Sequence, residues 1–369
     1  MSNKKLAILG IIAAVMLVWA VVQSQVSNRT QTVSKGLSYL VSGVNIDEID
    51  SIAIKSGEEA LTLKRQGDGF TVVNKDNYPA ETKKVNELIT DCLGIEVSQM
   101  VTDNPINHQD LGVTEDKAAT TVKFIKPDGS ILVEILVGNP KESGQSTYIR
   151  LASSNKVYET SDIPMIDAAA MNYIQKRLVS LVRKDIEEVS FNSPNSEYIL
   201  KPLTENEDVE LVDVPEGKEL KQSEAKSVFT ALSNLDFSDV MKNPGDLNFD
   251  RQYKCKLFNS TEFTFNIASK EGKTFVTCRA VFTEGRPATI KKDETPEQLK
   301  EKEEKLLLDD KADDFTKRHM GWVYEIPAYT AKYLTRELSD LVEDKQVTEM
   351  TETPDPNMIL KNLQNSQQP

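Results

Sequence analysis

Two stretches of the chain set their apolar residues in the same places. In Glu48–Ile54 these are Ile49, Ile52 and Ile54, and in Asp185–Phe191 they are Ile186, Val189 and Phe191, an offset of 137. Leu61 and Leu63 match Tyr198 and Leu200 at that offset, and Phe70, Val72 and Val73 match Val209, Leu211 and Val212. Alternation with a period near two predicts half-buried strands in both places. A helix is predicted next in each copy. Val85, Leu88, Ile89 and Cys92 stand at i, i+3, i+4 and i+7, as do Ala225, Val228, Phe229 and Leu232, which gives each helix one apolar stripe to lay on a sheet.

The parallel continues along the chain. Asn104-Pro105 and Asn243-Pro244 punctuate it, and alternating stretches follow. Val122/Phe124, Ile131/Val133/Ile135/Val137 and Thr147–Ile149 predict strands matched by Cys255/Leu257, Phe263/Phe265/Ile267 and Thr274–Val276. Pro127-Asp-Gly129 predicts a hairpin turn, because glycine takes the positive φ such turns need. Val157-Tyr-Glu159 matches Val323-Tyr-Glu325. A closing helix is then predicted in each copy, over Ile174, Leu178, Leu181 and Val182 and over Leu334, Leu338, Leu341 and Val342. The offset rises from 127 at Thr147/Thr274 to 166 at Tyr158/Tyr324, so the second copy carries an insertion, near Thr283–Arg318. Pro296 suits its first helical turn, and its Glu/Lys spacing predicts a solvated helix.

A different pattern opens the chain. Leu6–Val22 holds no charge, uncharged residues continue to Asn28, and Lys4 and Lys5 precede the run. That length spans a hydrocarbon layer, and the flanking lysines predict a cytoplasmic N-terminus. The alternative is a cleavable signal peptide ending near Val22 and Ser24. The expected fold class is α+β: an N-terminal transmembrane helix followed by two tandem copies of an antiparallel-sheet-plus-helices domain. The expected divisions are a cytoplasmic tip and anchor (1–28), a tether (29–44) and a first repeat (45–184). A second repeat (185–350) with the charged insertion 283–318 and a disordered tail (351–369) complete them.

Charge and chemistry narrow the function classes. The formal net charge of −14 makes nucleic acid a poor partner. The lipid bilayer is met only through residues 6–28. The three cysteines, Cys92, Cys255 and Cys278, stand at apolar positions and read as core residues. Of the two histidines, His108 lies in a polar loop and His319 follows the insertion, and no sequence motif supplies either with a nucleophile and an orienting acid. Asp309, Asp310, Asp313 and Asp314 offer oxygens to a divalent cation but read better as a solvated helix face. Tyr78-Pro79-Ala80 reads as a helix start with a packed tyrosine, and Arg150 as an exposed strand position. No catalytic, cofactor-binding or metal residues are assigned.

One combination of residues is distinctive in its order. The early strand pair and Tyr78-Pro-Ala80 are followed by Val101-Thr-Asp-Asn-Pro105, Leu111-Gly-Val113 and Val137-Gly138. Gly144, Thr147-Tyr-Ile-Arg150 and Val157-Tyr158 complete the series. In this the chain resembles the bacterial domain-of-unknown-function 4340 family, well over roughly residues 40 to 190 and as a diverged repeat beyond. Phe70 and Tyr173 stand where the family pattern has tryptophan. The resemblance implies a membrane-tethered envelope protein encoded beside ABC-type transporter subunits and a gliding-motility-like auxiliary component, with no established activity. The expected function is a non-catalytic accessory or scaffold subunit of an ABC-type export system, on the periplasmic side of a bacterial inner membrane. The alternatives are a free-standing module binding an envelope polymer or ligand and, behind it, a hydrolase.

Overall fold

The computed structural model describes residues 38–142, 144–203, 207–285 and 294–345, in two compact units divided between Lys176 and Arg177. The first unit is built on the period-two stretches. Its strands are β1 (Ser51–Ser56), β2 (Glu59–Gln66), β3 (Gly69–Val72), β4 (Tyr78–Pro79), β5 (Met100–Thr102), β6 (Thr120–Ile125), β7 (Ile131–Pro140), β8 (Thr147–Leu151) and β9 (Val157–Thr160). They form one antiparallel sheet in the order β4-β3-β2-β1-β6-β7-β8-β9-β5. Proline is tolerated in β4 because that strand is the edge, where no further ladder bond is required of it. Helix α1 (Thr82–Leu93) buries Val85, Leu88, Ile89 and Cys92, the stripe its spacing predicted.

The second unit runs through β10 (Ile186–Asn192), β11 (Glu197–Pro202), β12 (Val209–Leu211), β13 (Asp239–Lys242), β14 (Phe249–Leu257), β15 (Thr261–Lys270), β16 (Lys273–Phe282) and β17 (Trp322–Ile326). Their order is β12-β11-β10-β14-β15-β16-β17-β13, which repeats the first sheet from β3 to β5 place for place. The register agrees too. Ile54 faces Leu61 and Val122, and Phe191 faces Tyr198 and Tyr253. Ile149 lies between Val137 and Tyr158, as Val276 lies between Ile267 and Tyr324. Helix α2 (Gln222–Phe229) buries Ala225, Val228 and Phe229, and Leu232 is buried just past its end. The buried Tyr253 hydroxyl donates to the Val228 carbonyl at 2.8 Å, so the sheet and its helix share a polar tie beneath the apolar contact.

Several expectations need correction. The α+β class does not hold: the described residues are mostly antiparallel sheet, and among them α1 is the one α-helix of the first unit, the others belonging to the second. Period-two alternation outweighs the helical stripes, which are only 12 and 8 residues long in α1 and α2. The membrane anchor expected over residues 6–28 lies outside the described residues, as does the tail 351–369. Among the described residues no helix is long and apolar enough to cross a membrane. The closing helix of the first copy is replaced by a 3-10 turn (Ala170–Tyr173) and a short strand, Arg177–Val179, paired with Leu235–Asp236. In the second copy it is broken into α4 (Ala328–Leu334) and α5 (Leu338–Leu341), which follow the long helix α3 (Pro296–His319) of the insertion.

The insertion supplies α3 (Pro296–His319), entered through a capping box in which Thr295 and Gln298 satisfy each other's backbone. It is polar over most of its length and buries only Ala312 and His319. Leu308 and Phe315 pack beside Ala312 against Ala280, Phe282 and Phe263. Strand β16 pairs with β17 only through Thr274–Val276, so the rest of that edge would face outward. There α3 takes over. The Thr316 hydroxyl accepts from the Ala280 N–H at 2.9 Å and donates to the Ala280 carbonyl at 2.7 Å, standing in for a neighbouring strand.

Candidate functional site

Most residues of the distinctive series turn out to knit one loop to the first sheet. Thr102 Oγ1 accepts from the Asn104 N–H and from Asn107 Nδ2, and the Asn104 side chain caps a 3-10 turn that begins at Pro105. Further on, the Leu111 carbonyl accepts from the Asn139 N–H at 3.0 Å, and Asn139 Nδ2 donates to the Asp110 carbonyl at 3.1 Å. Contact is so close that a Cβ on Gly138 would fall 2.4 Å from the Leu111 oxygen. Gly138 is therefore required by space, and Gly112 by its φ of +71°.

Arg150 completes this knot. It is 9 % exposed, not the exposed strand position its alternation suggested, because the loop covers the outward face of β8. Its Nε donates to the Val113 carbonyl at 2.9 Å and its Nη1 to the Ser154 carbonyl at 2.9 Å, with longer bonds to Leu151 and Ala152. His108 Nε2 meets the Asn155 carbonyl at 2.9 Å in the same hairpin. Both side chains are engaged by backbone carbonyls, which makes them fasteners of the fold. Likewise Pro79 lies in edge strand β4, and the helix starts only at Thr82.

The second unit treats its polar groups in the same way. His319 Nδ1 lies 2.6 Å from the Tyr324 hydroxyl, with the Phe315 ring tilted against it at 4.5 Å, and burial, aided by Arg318, pulls the imidazole pKa down to about 4. Glu337 accepts from Ser193 Oγ at 2.9 Å and from Ser196 Oγ, tying the start of α5 to the β10–β11 turn. This Ser/Glu clasp was not foreseen, since its members lie far apart in the chain. All three cysteines are free and buried, and desolvation raises each thiol, Cys92 and Cys255 to about 12. Thiols so protonated are poor nucleophiles. The insertion's aspartates lie along α3, and among the described residues no group of three or more His, Cys, Asp or Glu is placed to hold a metal ion.

An open feature remains, in the first unit. A cleft of about 380 Å³ runs beside α1, at the lower end of the size range of ligand pockets. Lys84, Glu87, Leu88 and Asp91 form one wall, at i, i+3, i+4 and i+7 on the helix. The other wall is the segment Pro164–Asp167, outside any helix or strand, with Asn172 and Tyr173. That segment is pinned at its end. Asp167 accepts from the Ala169 N–H at 2.7 Å and from Asn172 Nδ2, and the Tyr173 hydroxyl donates to the Asp167 carbonyl at 3.0 Å. The Tyr173 carbonyl in turn accepts from the Glu81 N–H at 2.7 Å, at the mouth of α1. Burial and the neighbouring Asp167 push the Tyr173 phenol up to about 12, so it stays a donor. None of the cleft residues was singled out from the sequence for chemistry; the available signal was the apolar run Ile163–Ile166 in an otherwise polar loop.

Comparison with known proteins gives one assignment. A family model described as Domain of unknown function (DUF4340) matches residues 71–252, from within β3 of the first unit to within β14 of the second. The match begins later than the stretch of good resemblance read from the sequence, at 71 against roughly 40, and ends at 252, within the copy read as a diverged repeat. No curated protein and no solved structure matches the chain.

Proposed function

Because the chain belongs to the DUF4340 family, we propose that it is a non-catalytic accessory or scaffold protein of a bacterial envelope, working beside the subunits of an ABC-type transport system. The observation that carries this reading is the disposition of its reactive groups. Arg150, His108, His319 and the three thiols are engaged or buried, while the open cleft is lined by groups suited to holding a ligand. Placement at the inner membrane, with the bulk of the chain periplasmic, rests on the sequence alone, on Lys4, Lys5 and the uncharged run Leu6–Val22.

Affinity purification from intact membranes tests it. Permease and ATPase subunits are expected with the full chain and not with a form lacking residues 1–28 that melts at the same temperature. Equal partner profiles for the two forms would remove membrane placement from the reading. A second reading, a free-standing ligand-binding module, is favoured by the cleft itself, and recovery of no membrane-protein partner by either form would put it first.

A further inference from the structure

We propose that the cleft beside α1 binds an extended segment of a partner polypeptide carrying a lysine or arginine next to an aliphatic residue. The inference deepens the accessory reading and rests on it, by naming what the partner presents. Three features of the cleft point to this occupant.

The first is charge. Glu87, Asp91 and Asp167 contribute three carboxylates against the single ammonium of Lys84. Glu87 reaches Lys83 and Lys84 only through exposed contacts of 3.8 and 3.5 Å, which water screens and which yield readily to a better-placed cation. Asp167 is held by neutral amide donors, so its negative charge is left uncompensated. An anionic occupant, whether phosphate, nucleic acid or acidic headgroup, meets repulsion there, and the net charge of −14 extends that repulsion beyond the cleft.

The second is the apolar part of the lining. Leu88, Pro164, Met165, Ile166 and Tyr173 lie among the charges, so a free inorganic cation would leave most of the wall unused. Met165 is 97 % exposed, a flexible thioether side chain held in water beside a cavity. Methionine adapts its shape to aliphatic partners, and covering it recovers apolar surface. A side chain with an aliphatic stem and a cationic head matches both kinds of wall, and an adjacent aliphatic residue covers Met165.

The third is rigidity. Both walls are anchored by hydrogen bonds within the unit, one as a helix and the other at its Asp167 and Tyr173 end. A peptide entering a preformed cleft loses its own freedom without also having to order the protein. The volume suits about two or three residues, so the affinity of one such contact is weak and a partner confined nearby is what makes it useful.

The test uses the full chain in detergent and three probes: acetyl-Leu-Lys-Leu-amide, acetyl-Leu-Glu-Leu-amide and cadaverine. Titration followed by calorimetry should show the lysine peptide binding at least tenfold more tightly than the glutamate peptide, and weakening as salt is raised. Asp91→Lys and Met165→Asp, both at exposed positions, should each weaken it at least fivefold without moving Tm. Equal binding of the two peptides, or unchanged binding by both variants, overturns the proposal. Cadaverine as tight as the lysine peptide also overturns it, in favour of a free amine ligand. Partner recovery from membranes by the Asp91→Lys form separates the two readings. Recovery that persists while peptide binding is lost leaves the accessory role standing and removes the cleft from it.

Discussion

The two units face one structural problem and solve it differently. In both, the strand pair that follows the long central hairpin must lead the chain away without leaving backbone groups unpaired. In the first unit β8 and β9 pair through four residues each, joined by a short hairpin. Arg150 bonds that hairpin's carbonyls from within β8 and draws in the Val113 carbonyl of the covering loop. In the second unit the residue in Arg150's place is Thr277, the strands pair over three residues, and the 24-residue helix α3 fills the gap. One unit spends a buried cation; the other spends a helix and a single hydroxyl. A shared strand order therefore fixes where protection is needed, and leaves open the chemistry that supplies it.

The comparison predicts where each unit breaks. The largest effect should come from Arg150→Ala, which strands the buried Val113 carbonyl and the half-buried carbonyls of the hairpin at about 3 kcal/mol. Hydrogen exchange should locate the loss in residues 38–176, and Arg150→Lys should rescue it only partly, because an ammonium lacks the fork that spans several carbonyls. Loss spread evenly over both units would erase the contrast.

Acid should act on the other unit. His319 has its folded-state pKa held near 4, below the ordinary value of 6.5, so the unfolded chain binds more protons between those values. Stability from this group is full above pH 6.5 and falls as the pH drops toward 4, by at most about 3 kcal/mol. Exchange protection measured at pH 7 and pH 4.5 should weaken around α3 and β17, and His319→Phe should lessen that difference. Unchanged protection in the wild type would show that the imidazole is solvated.

Smaller effects sharpen the picture. Gly138→Ala pushes a methyl into the Leu111 carbonyl and should cost about 2 kcal/mol, read as a lower urea midpoint, through displacement of the covering loop. Thr316→Val keeps the shape of the side chain but orphans both backbone groups of Ala280, and should cost about 1 kcal/mol. Thr316→Ser should be close to neutral in the same denaturation experiment. If Thr316→Val is neutral as well, α3 protects the edge by bulk and not by its hydroxyl.

How much of this the sequence disclosed follows from what period two can and cannot specify. Ile54 with Phe191, Leu61 with Tyr198 and Tyr158 with Tyr324 occupy corresponding places in the two sheets, because several matched stretches had to agree at once. Val122 and Phe124 were matched to Cys255 and Leu257, whereas the registers place them with Tyr253 and Cys255. A shift of two residues returns every side chain to the same face, so alternation alone is blind to it. The closing helix over Ile174–Val182 failed because five apolar residues in nine, Val179 among them, fit more than one period, and pairing with Leu235–Asp236 decided for a strand. Arg150's burial was hidden by the covering loop, and the cleft by walls some eighty residues apart. Tertiary contact decided both.

The buried thiols give each unit its own clock. Cys92 lies in the first unit, and Cys255 and Cys278 lie in the second, all without a disulfide partner. A thiol reagent that cannot enter the core labels each one only during the moments its surroundings open. Labelling rates at a set pH therefore convert into separate opening equilibria for the two halves of a chain whose overall melting would merge them. Nature's choice of three unpaired cysteines as packing residues has left the molecule instrumented, with one reporter under α1 and two in the sheet that α3 guards.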